Sequence, residues 1–136
     1  MSTAPQDIYK KIFTMNKREV GQYCESYVCQ QLEKHGFSIV VRNFRVGKGS
    51  EIDIVAQKDN VIHFIEVKAR SNSTYGLPRE AVTPDKLQRI IRASEFFTKQ
   101  YKTYDMPRSY DIAEVYFSIY EQTVQVKKIN FLFQIC

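Results

Sequence analysis

Residues 50–70 read Ser-Glu-Ile-Asp-Ile-Val-Ala-Gln-Lys-Asp-Asn-Val-Ile-His-Phe-Ile-Glu-Val-Lys-Ala-Arg, with acids where a plain core strand carries valine or isoleucine. The first apolar stretch holds Glu51 and Asp53; the second holds Glu66, with Lys68 two positions on. Successive side chains of a strand alternate faces, so Glu66 and Lys68 share a face and Val67 points away. By the same rule Asp53 lies opposite Ile52 and Ile54, and Glu51 falls on the face of Asp53. If the two stretches pair, Asp53, Glu66 and Lys68 converge on one patch beside a hydrophobic sheet. A fold accepts ionised groups there only when they are paired, metal-bound or solvated. Such a set suits phosphodiester cleavage with Mg²⁺ or Mn²⁺, held by Asp53 and Glu66, with the Val67 carbonyl as a third ligand and several waters kept. Lys68 beside them would orient the attacking water or stabilise the pentacovalent phosphate. The plain alternative is a salt-bridged triplet on an exposed strand face, which adds little stability.

The elements that must position these residues can be read outward from them. The turn between the two stretches falls at Lys58-Asp59-Asn60, residue types that favour a tight hairpin. Before it, residues 37–46 are rich in β-branched and aromatic residues and form a strand. That strand runs into Arg42, Arg45 and Lys48 around Gly47 and Gly49, a basic turn suited to a phosphate backbone. It lacks the first glycine and the following helix of a nucleotide-binding phosphate loop. Upstream, Asn16 with Glu19 resembles a capping box. Val20, Tyr23, Cys24, Tyr27, Val28 and Leu32 then trace a helical stripe, interrupted by Gln31, that stops at His35-Gly36. Glu25 sits at the edge of this stripe, where an acid on a helix flank is the ordinary reading.

Downstream, residues 71–82 are a loop by composition. Thr83-Pro84-Asp85 opens a second helix with cap, first-turn proline and acid in order. Leu87, Ile90, Ile91, Ser94, Phe97 and Tyr101 form its inner stripe. Its outer face carries Lys86, Arg89, Arg92, Lys99 and Lys102 against Asp85 and Glu95, a basic excess suited to phosphate contact. Asp105-Met106-Pro107 ends it. Residues 110–120 and 123–129 read as two more strands about a turn at Glu121-Gln122. The apolar residues 130–136 dock on the core or on a partner. Helix, three strands, helix, two strands make an α/β fold: a mixed central sheet of about five strands flanked by α-helices. The link from third to fourth strand through the second helix is a natural right-handed crossover. Residues 1–15, with Pro5 and no clear period, read as a loose arm on a single domain spanning 1–136.

The chain has 136 residues, long enough for a real core, and carries 20 Lys and Arg against 15 Asp and Glu, a formal net charge of +5. That mild basic excess agrees with a polyanionic partner but carries little weight alone. Three cysteines (Cys24, Cys29 and Cys136), no CxxC spacing and no basic-then-apolar leader point to free thiols in a cytoplasmic protein. His35 and His63 do not complete a zinc spacing with the cysteines. No apolar run approaches the ~18 residues of a membrane-spanning helix, so no membrane is expected.

Asp53 followed by Glu66-Val67-Lys68 after twelve intervening residues resembles the PD-(D/E)XK motif of restriction-endonuclease-like nucleases, with Ile52 where proline often stands. The likeness extends to Gly21 and Glu25, Leu32 with Gly36-Phe37, Arg42-Asn43-Phe44-Arg45, residues 51–56 and 64–70, Tyr75-Gly76, Ala81-Val82, Lys86 and Tyr110-Asp111-Ile112. In that order these resemble the bacterial YraN-like family, itself similar to archaeal Holliday junction resolvases, over roughly residues 21–117. The resemblance implies a restriction-endonuclease-like core and a Mg²⁺- or Mn²⁺-dependent endonuclease acting on DNA, branched or otherwise structured. It implies Asp53 and Glu66 as metal ligands, Lys68 as the catalytic lysine, and Glu25 as a helix acid that approaches the metal through water or a second ion. Ser50 and Cys24 each replace a usual glycine and add bulk near the site without removing a ligand. Arg42, Arg45, Lys48, Arg70, Lys86 and Arg89 are the expected nucleic-acid contacts. Structure-selective resolvases of this superfamily work as dimers, so a homodimer is an expectation too. A non-catalytic nucleic-acid-binding module and a protein–protein adaptor built on the tyrosines and apolar tail are the competing readings.

Overall fold

A computed structural model describes residues 2–3, 17–70, 83–118 and 123–135 of the chain. In chain order the elements are β1 (Ser2–Thr3), α1 (Lys17–Lys34), β2 (Ser38–Val46), β3 (Ser50–Lys58), β4 (Val61–Arg70), α2 (Pro84–Tyr101), β5 (Arg108–Ser118) and β6 (Thr123–Ile135). The strands form one mixed sheet in the order β1-β6-β5-β4-β3-β2. β4 and β5 are parallel, joined across α2, and every other neighbouring pair is antiparallel. The mixed sheet with flanking helices fits the expected restriction-endonuclease-like core.

Two differences from the expected element list concern the far edge. The residues read as an apolar tail are part of β6, which runs on to Ile135 in register with β5 as far as Arg108. At the other end of the chain, Ser2–Thr3 pairs with Val126 and Gln125 of β6, so this part of the arm is a strand. The described sheet therefore has six strands against about five, the sixth being only two residues long. The remainder of the arm, the loop at 71–82, the turn at Glu121-Gln122 and Cys136 lie outside the described residues.

Alternation along β4 shows how the layers are arranged. Ile65 and Val67 pack with Cys24, Tyr27, Val28 and Leu32 of α1, whereas Ile62 and Phe64 pack with Ile90, Ala93 and Phe97 of α2. Successive residues of one strand thus serve different helices, and α1 and α2 cover opposite faces of the sheet. α1 ends at Gly36 (φ +89°), where the Phe37 amide donates to the Leu32 carbonyl at 3.0 Å and turns the chain into β2. The β3–β4 hairpin turns on Asp59 (φ 50°) and Asn60 (φ 64°), two residues that tolerate the left-handed region a tight primed turn requires. Asp111 serves the core: one carboxylate oxygen meets His63 Nδ1 at 2.8 Å and the other accepts from Ser109 Oγ at 2.8 Å.

α2 starts as its sequence indicates. Thr83 Oγ1 accepts from the Lys86 amide at 3.2 Å and Pro84 occupies the first turn. Its buried face is Ile90, Ala93, Ser94, Phe97 and Thr98. Tyr101, placed on the inner stripe from its spacing, is 41% exposed. Because the cap fixes the turn that carries Lys86, Thr83→Ala is expected to lower unfolding free energy by about 1 kcal/mol. Urea denaturation measures it, and an unchanged midpoint would remove the cap from the account.

Candidate active site

The β3–β4 ladder stops one step short of the acids. Its last pair is Ile54 with Ile65; the next positions in that register would be Asp53 and Glu66. Beyond it the strands part. β3 stays paired with β2 through Ile52, Glu51 and Ser50, while β4 stays paired with β5 from Glu66 to Arg70. A fork of this kind leaves backbone donors without ladder partners, and a buried N–H without an acceptor is costly. Asp53 meets that need: its Oδ2 accepts from the Val67 amide at 2.8 Å. The register thus brings Asp53, Glu66 and Lys68 together at the fork.

Strand facing also changes here. Val55 and Ile52 both join the α2 cluster although they are an odd number of residues apart, while Ile54 and Ala56 join the α1 cluster. Across β2 the same change occurs between Arg42, paired with Ile54, and Phe44, paired with Ile52. Asn43 between them has φ 54°. Simple alternation therefore breaks at Asp53, yet Glu51 and Asp53 still line one cavity. Glu51 turns toward Glu25 of α1. The Asn43 amide, oriented to donate, spans them at 3.1 Å to Glu51 Oε1 and 3.3 Å to Glu25 Oε1. Glu25 is joined to the site through Asn43 and Glu51.

Glu66 lies buried between two ammonium groups. Its Oε1 is 2.6 Å from Lys86 Nζ and 3.5 Å from Lys68 Nζ. Burial, and then hydrogen bonding to Lys86, pulls the pKa of Lys68 down from its ordinary value. Burial also acts to lower Lys86, but its hydrogen bonds to Glu66 and Lys68 and the nearby acids outweigh that and raise it. Asp53 is pushed up to about 7, first by burial and then by the charge of Glu66; the Val67 amide only partly opposes them. Burial likewise raises Glu25, against the pull of Arg42. In β5, Glu114 is the register partner of Lys68 and is buried.

Asp53 and Glu66 open into a cavity of about 400 Å³, with Lys86, Arg89 and Asp85 on the α2 side and Glu51 and Gly49 on the other. Lys68 reaches Glu66 without lining the cavity wall. Of the basic residues expected to meet phosphate, Lys86 and Arg89 stand at its mouth. Arg42 donates to Ser26 at 3.1 Å with Glu25 at 3.9 Å, and Arg45 lies 3.4 Å from Glu51. Lys48 is exposed on the β2–β3 turn; Arg70 ends β4, its side chain outside the described residues. Arg89 pairs with Asp85 at 2.9 Å. Among the described residues, no three His, Cys, Asp or Glu side chains are grouped so as to enclose a metal ion. The buried thiol of Cys24, pushed up to about 12 by burial and then by Glu25, stays protonated, and the thiols of Cys24 and Cys29 are free.

The raised Asp53 makes stability depend on pH with a definite sign. Its folded value lies above its unfolded one, so its contribution is complete below about pH 4 and is lost as pH rises through about 7. Asp53→Asn keeps a neutral side chain and an oxygen for the Val67 amide. In EDTA the variant is expected to match wild type at pH 4 and to exceed it by about 2 kcal/mol at pH 8, after discounting for solvent at the cavity mouth. Thermal melts across pH measure the gap. A gap that does not change with pH would sink the burial argument.

Fold and site define an α/β protein whose mixed sheet forks around a carboxylate pair with lysines at its side. The chain belongs to the uncharacterised protein family UPF0102, the YraN-like family, whose profile matches residues 24–115. It is similar to the UPF0102 protein of Caldicellulosiruptor saccharolyticus, 36% identical over 116 residues that cover 85% of this chain and 98% of that protein. A UPF0102 protein of Clostridium perfringens is 41% identical over 102 residues, 75% of this chain and 83% of the relative. One from Acetivibrio thermocellus is 35% identical over 117 residues, 86% and 90% respectively. Among the described residues, no helix is long and apolar enough to cross a membrane.

Proposed function

We propose that this protein is a metal-dependent endonuclease that hydrolyses phosphodiester bonds in DNA, with branched or structured DNA as its substrate. The observation that carries the reading is the fork: it sets two acids against each other at a cavity, with a lysine of loosened proton beside them. The donor set fits a hard divalent cation. Mg²⁺ keeps several waters and needs only one or two carboxylates, so a closed cage of three acids is not required. Asp53 and Glu66 would hold the ion; Asp53 is raised first by burial and then by the charge of Glu66, and a bound cation relieves that repulsion. When bound, Mg²⁺ or Mn²⁺ supplies charge neutralisation on the attacked phosphate and acidifies a water.

The remaining work falls to side chains of the chain itself. Lys68, half-buried beside Glu66, orients the attacking water and can take its proton. Lys86 and Arg89, at the first turns of a capped helix, bring positive charge to the mouth where a phosphate would enter. The Asn43 bridge links Glu51 at the cavity wall to Glu25 of α1, and both add negative field at Asp53.

A second reading, a nucleic-acid-binding module without catalysis, is favoured by one contact: Lys86 already neutralises Glu66 at 2.6 Å. Cleavage assays on duplex, flap, junction and single-stranded DNA with Mg²⁺, Mn²⁺ or EDTA separate the two. Metal-dependent products support the nuclease; salt-dependent binding with no products across the panel supports the module.

A further inference from the structure

Along α2, Asp85, Arg89, Arg92, Phe96 and Lys99 recur at helical spacing and are all exposed, forming one stripe on the solvent side of the helix. The stripe begins at the cavity mouth, where Asp85 and Arg89 stand. It ends at a second cavity of about 220 Å³, lined by Glu95, Phe96, Thr98, Lys99, Tyr104 and Arg108. That is the space of roughly seven waters at ~30 Å³ each, the scale of one planar ring system.

Large apolar side chains are seldom left in water beside one another without reason. Phe96 is 46% and Tyr104 is 64% exposed, and both border this cavity. Tyr104 is carried on a pinned turn. Lys102 takes the left-handed conformation that ends α2, the Thr103 amide donates to the Thr98 carbonyl at 3.2 Å, and the Met106 amide to the Thr103 carbonyl at 3.2 Å. Two rings on a rigid support lose little freedom on binding, which suits stacking. The rim is cationic. Arg92 lies over the Phe96 ring, 6.0 Å from its centroid, and Arg92, Lys99 and Lys102 form no ion pair among the described residues. The acid at the cavity, Glu95, is held by Arg108 at 2.6 Å. Aromatic rings with cations beside them match a nucleobase and its flanking phosphate; a greasy peptide would leave the cations unmatched.

We propose that the cavity between Phe96 and Tyr104 binds an unpaired nucleobase, and that the α2 stripe carries the strand from it to the Asp53–Glu66 cavity. This rests on the nuclease reading for the strand's destination, and makes the substrate class DNA with single-stranded character. Ten residues of helix separate Arg89 from Lys99, about 15 Å, on the order of four base steps at 3.4 Å each. The pocket therefore holds a base several nucleotides from the bond at the acids, and it reads strand state by demanding a base that is free to leave its stack.

The chain has no tryptophan, so Phe96→Trp creates a single reporter at the pocket. In EDTA, where nothing is cut, a labelled single-stranded oligothymidylate is expected to quench that emission, and the same backbone with abasic sites is expected not to. Phe96→Ala and Tyr104→Ala should each weaken oligothymidylate binding about five- to one-hundred-fold by anisotropy, leaving blunt duplex within about twofold. Equal loss on duplex and single strand, unchanged affinity in both variants, or quenching by the abasic strand would each overturn the pocket. Both rings are solvent-exposed, and matching melts of the variants confirm folding. The outcomes stay separable from the nuclease reading. Base-dependent quenching by a protein that never cuts keeps the pocket and removes the nuclease; cutting without base-dependent binding does the reverse.

Discussion

Asp53→Ala, Glu66→Ala and Lys68→Ala are each expected to reduce metal-dependent DNA cleavage by about 10³-fold while the protein remains folded. The size follows from the roles. Preorganised charge at a reacting phosphate and a positioned proton acceptor are each worth on the order of 10²–10⁴ in rate. The three groups meet at one fork, so the losses should not multiply: a double variant is expected to cut about as slowly as the worse single one. Folding should survive because the site opposes stability. Asp53 is held at about 7 by burial and by Glu66, a repulsion that its removal relieves and that offsets the Val67 amide left without its acceptor. Glu66→Ala has the opposite tendency, since it leaves Lys68 and Lys86 half-buried together without their shared acid. Melting curves alongside single-turnover cleavage distinguish loss of chemistry from loss of fold. Wild-type rates in all three variants would sink the assignment, and so would metal-independent cutting by wild type.

The three residues were legible because each breaks a period. An acid in an apolar strand stands out against its neighbours, and the register of a tight hairpin sets which acids face each other. The link from Glu51 to Glu25 was not legible for the same reason. It rests on the change of strand facing at Asp53 and on the left-handed Asn43 of the neighbouring strand, whose amide spans the two acids. Nothing in an asparagine between Arg42 and Phe44 announces that geometry. Helical spacing places Lys86 on the outer face of α2 as a phosphate contact. Its 2.6 Å contact with Glu66 depends on how α2 crosses the sheet, a tertiary fact. The inner stripe of α2 was readable at Ile90, Ser94 and Phe97. Spacing favoured Tyr101, whereas burial went to the small Ala93 and Thr98 that let the helix approach the strands. The apolar stretch after residue 130 carried no turn signal, and it continues β6.

Phe97→Ala is expected to cost about 3–5 kcal/mol and to lower the melting temperature by roughly 10–20 °C. The ring is fully buried and meets Phe44 edge-on at 5.5 Å and Phe64 at 5.6 Å, with Tyr101 stacked on it at 4.2 Å. Truncation leaves a void among three rings that cannot close without moving α2, and the loss is a large part of the 5–15 kcal/mol that holds a typical domain together. Calorimetry reads the shift, and a loss under about 1 kcal/mol would show that the ring is not what anchors α2. The effect should also reach the site. Lys86 lies eleven residues before Phe97 on the same helix, about 16 Å along its axis, so a small tilt about the emptied site shifts its ammonium relative to Glu66. Misplacing a charged group by about 1 Å can cost 10²-fold in rate. Cleavage by Phe97→Ala should therefore fall below wild type even at temperatures where the variant is fully folded. Val28→Ala, which thins the α1 face instead, should lose stability with a smaller loss of rate. If both variants cut as fast as wild type while folded, α2 does not position Lys86 for the reaction, and the lysine that matters is Lys68 alone.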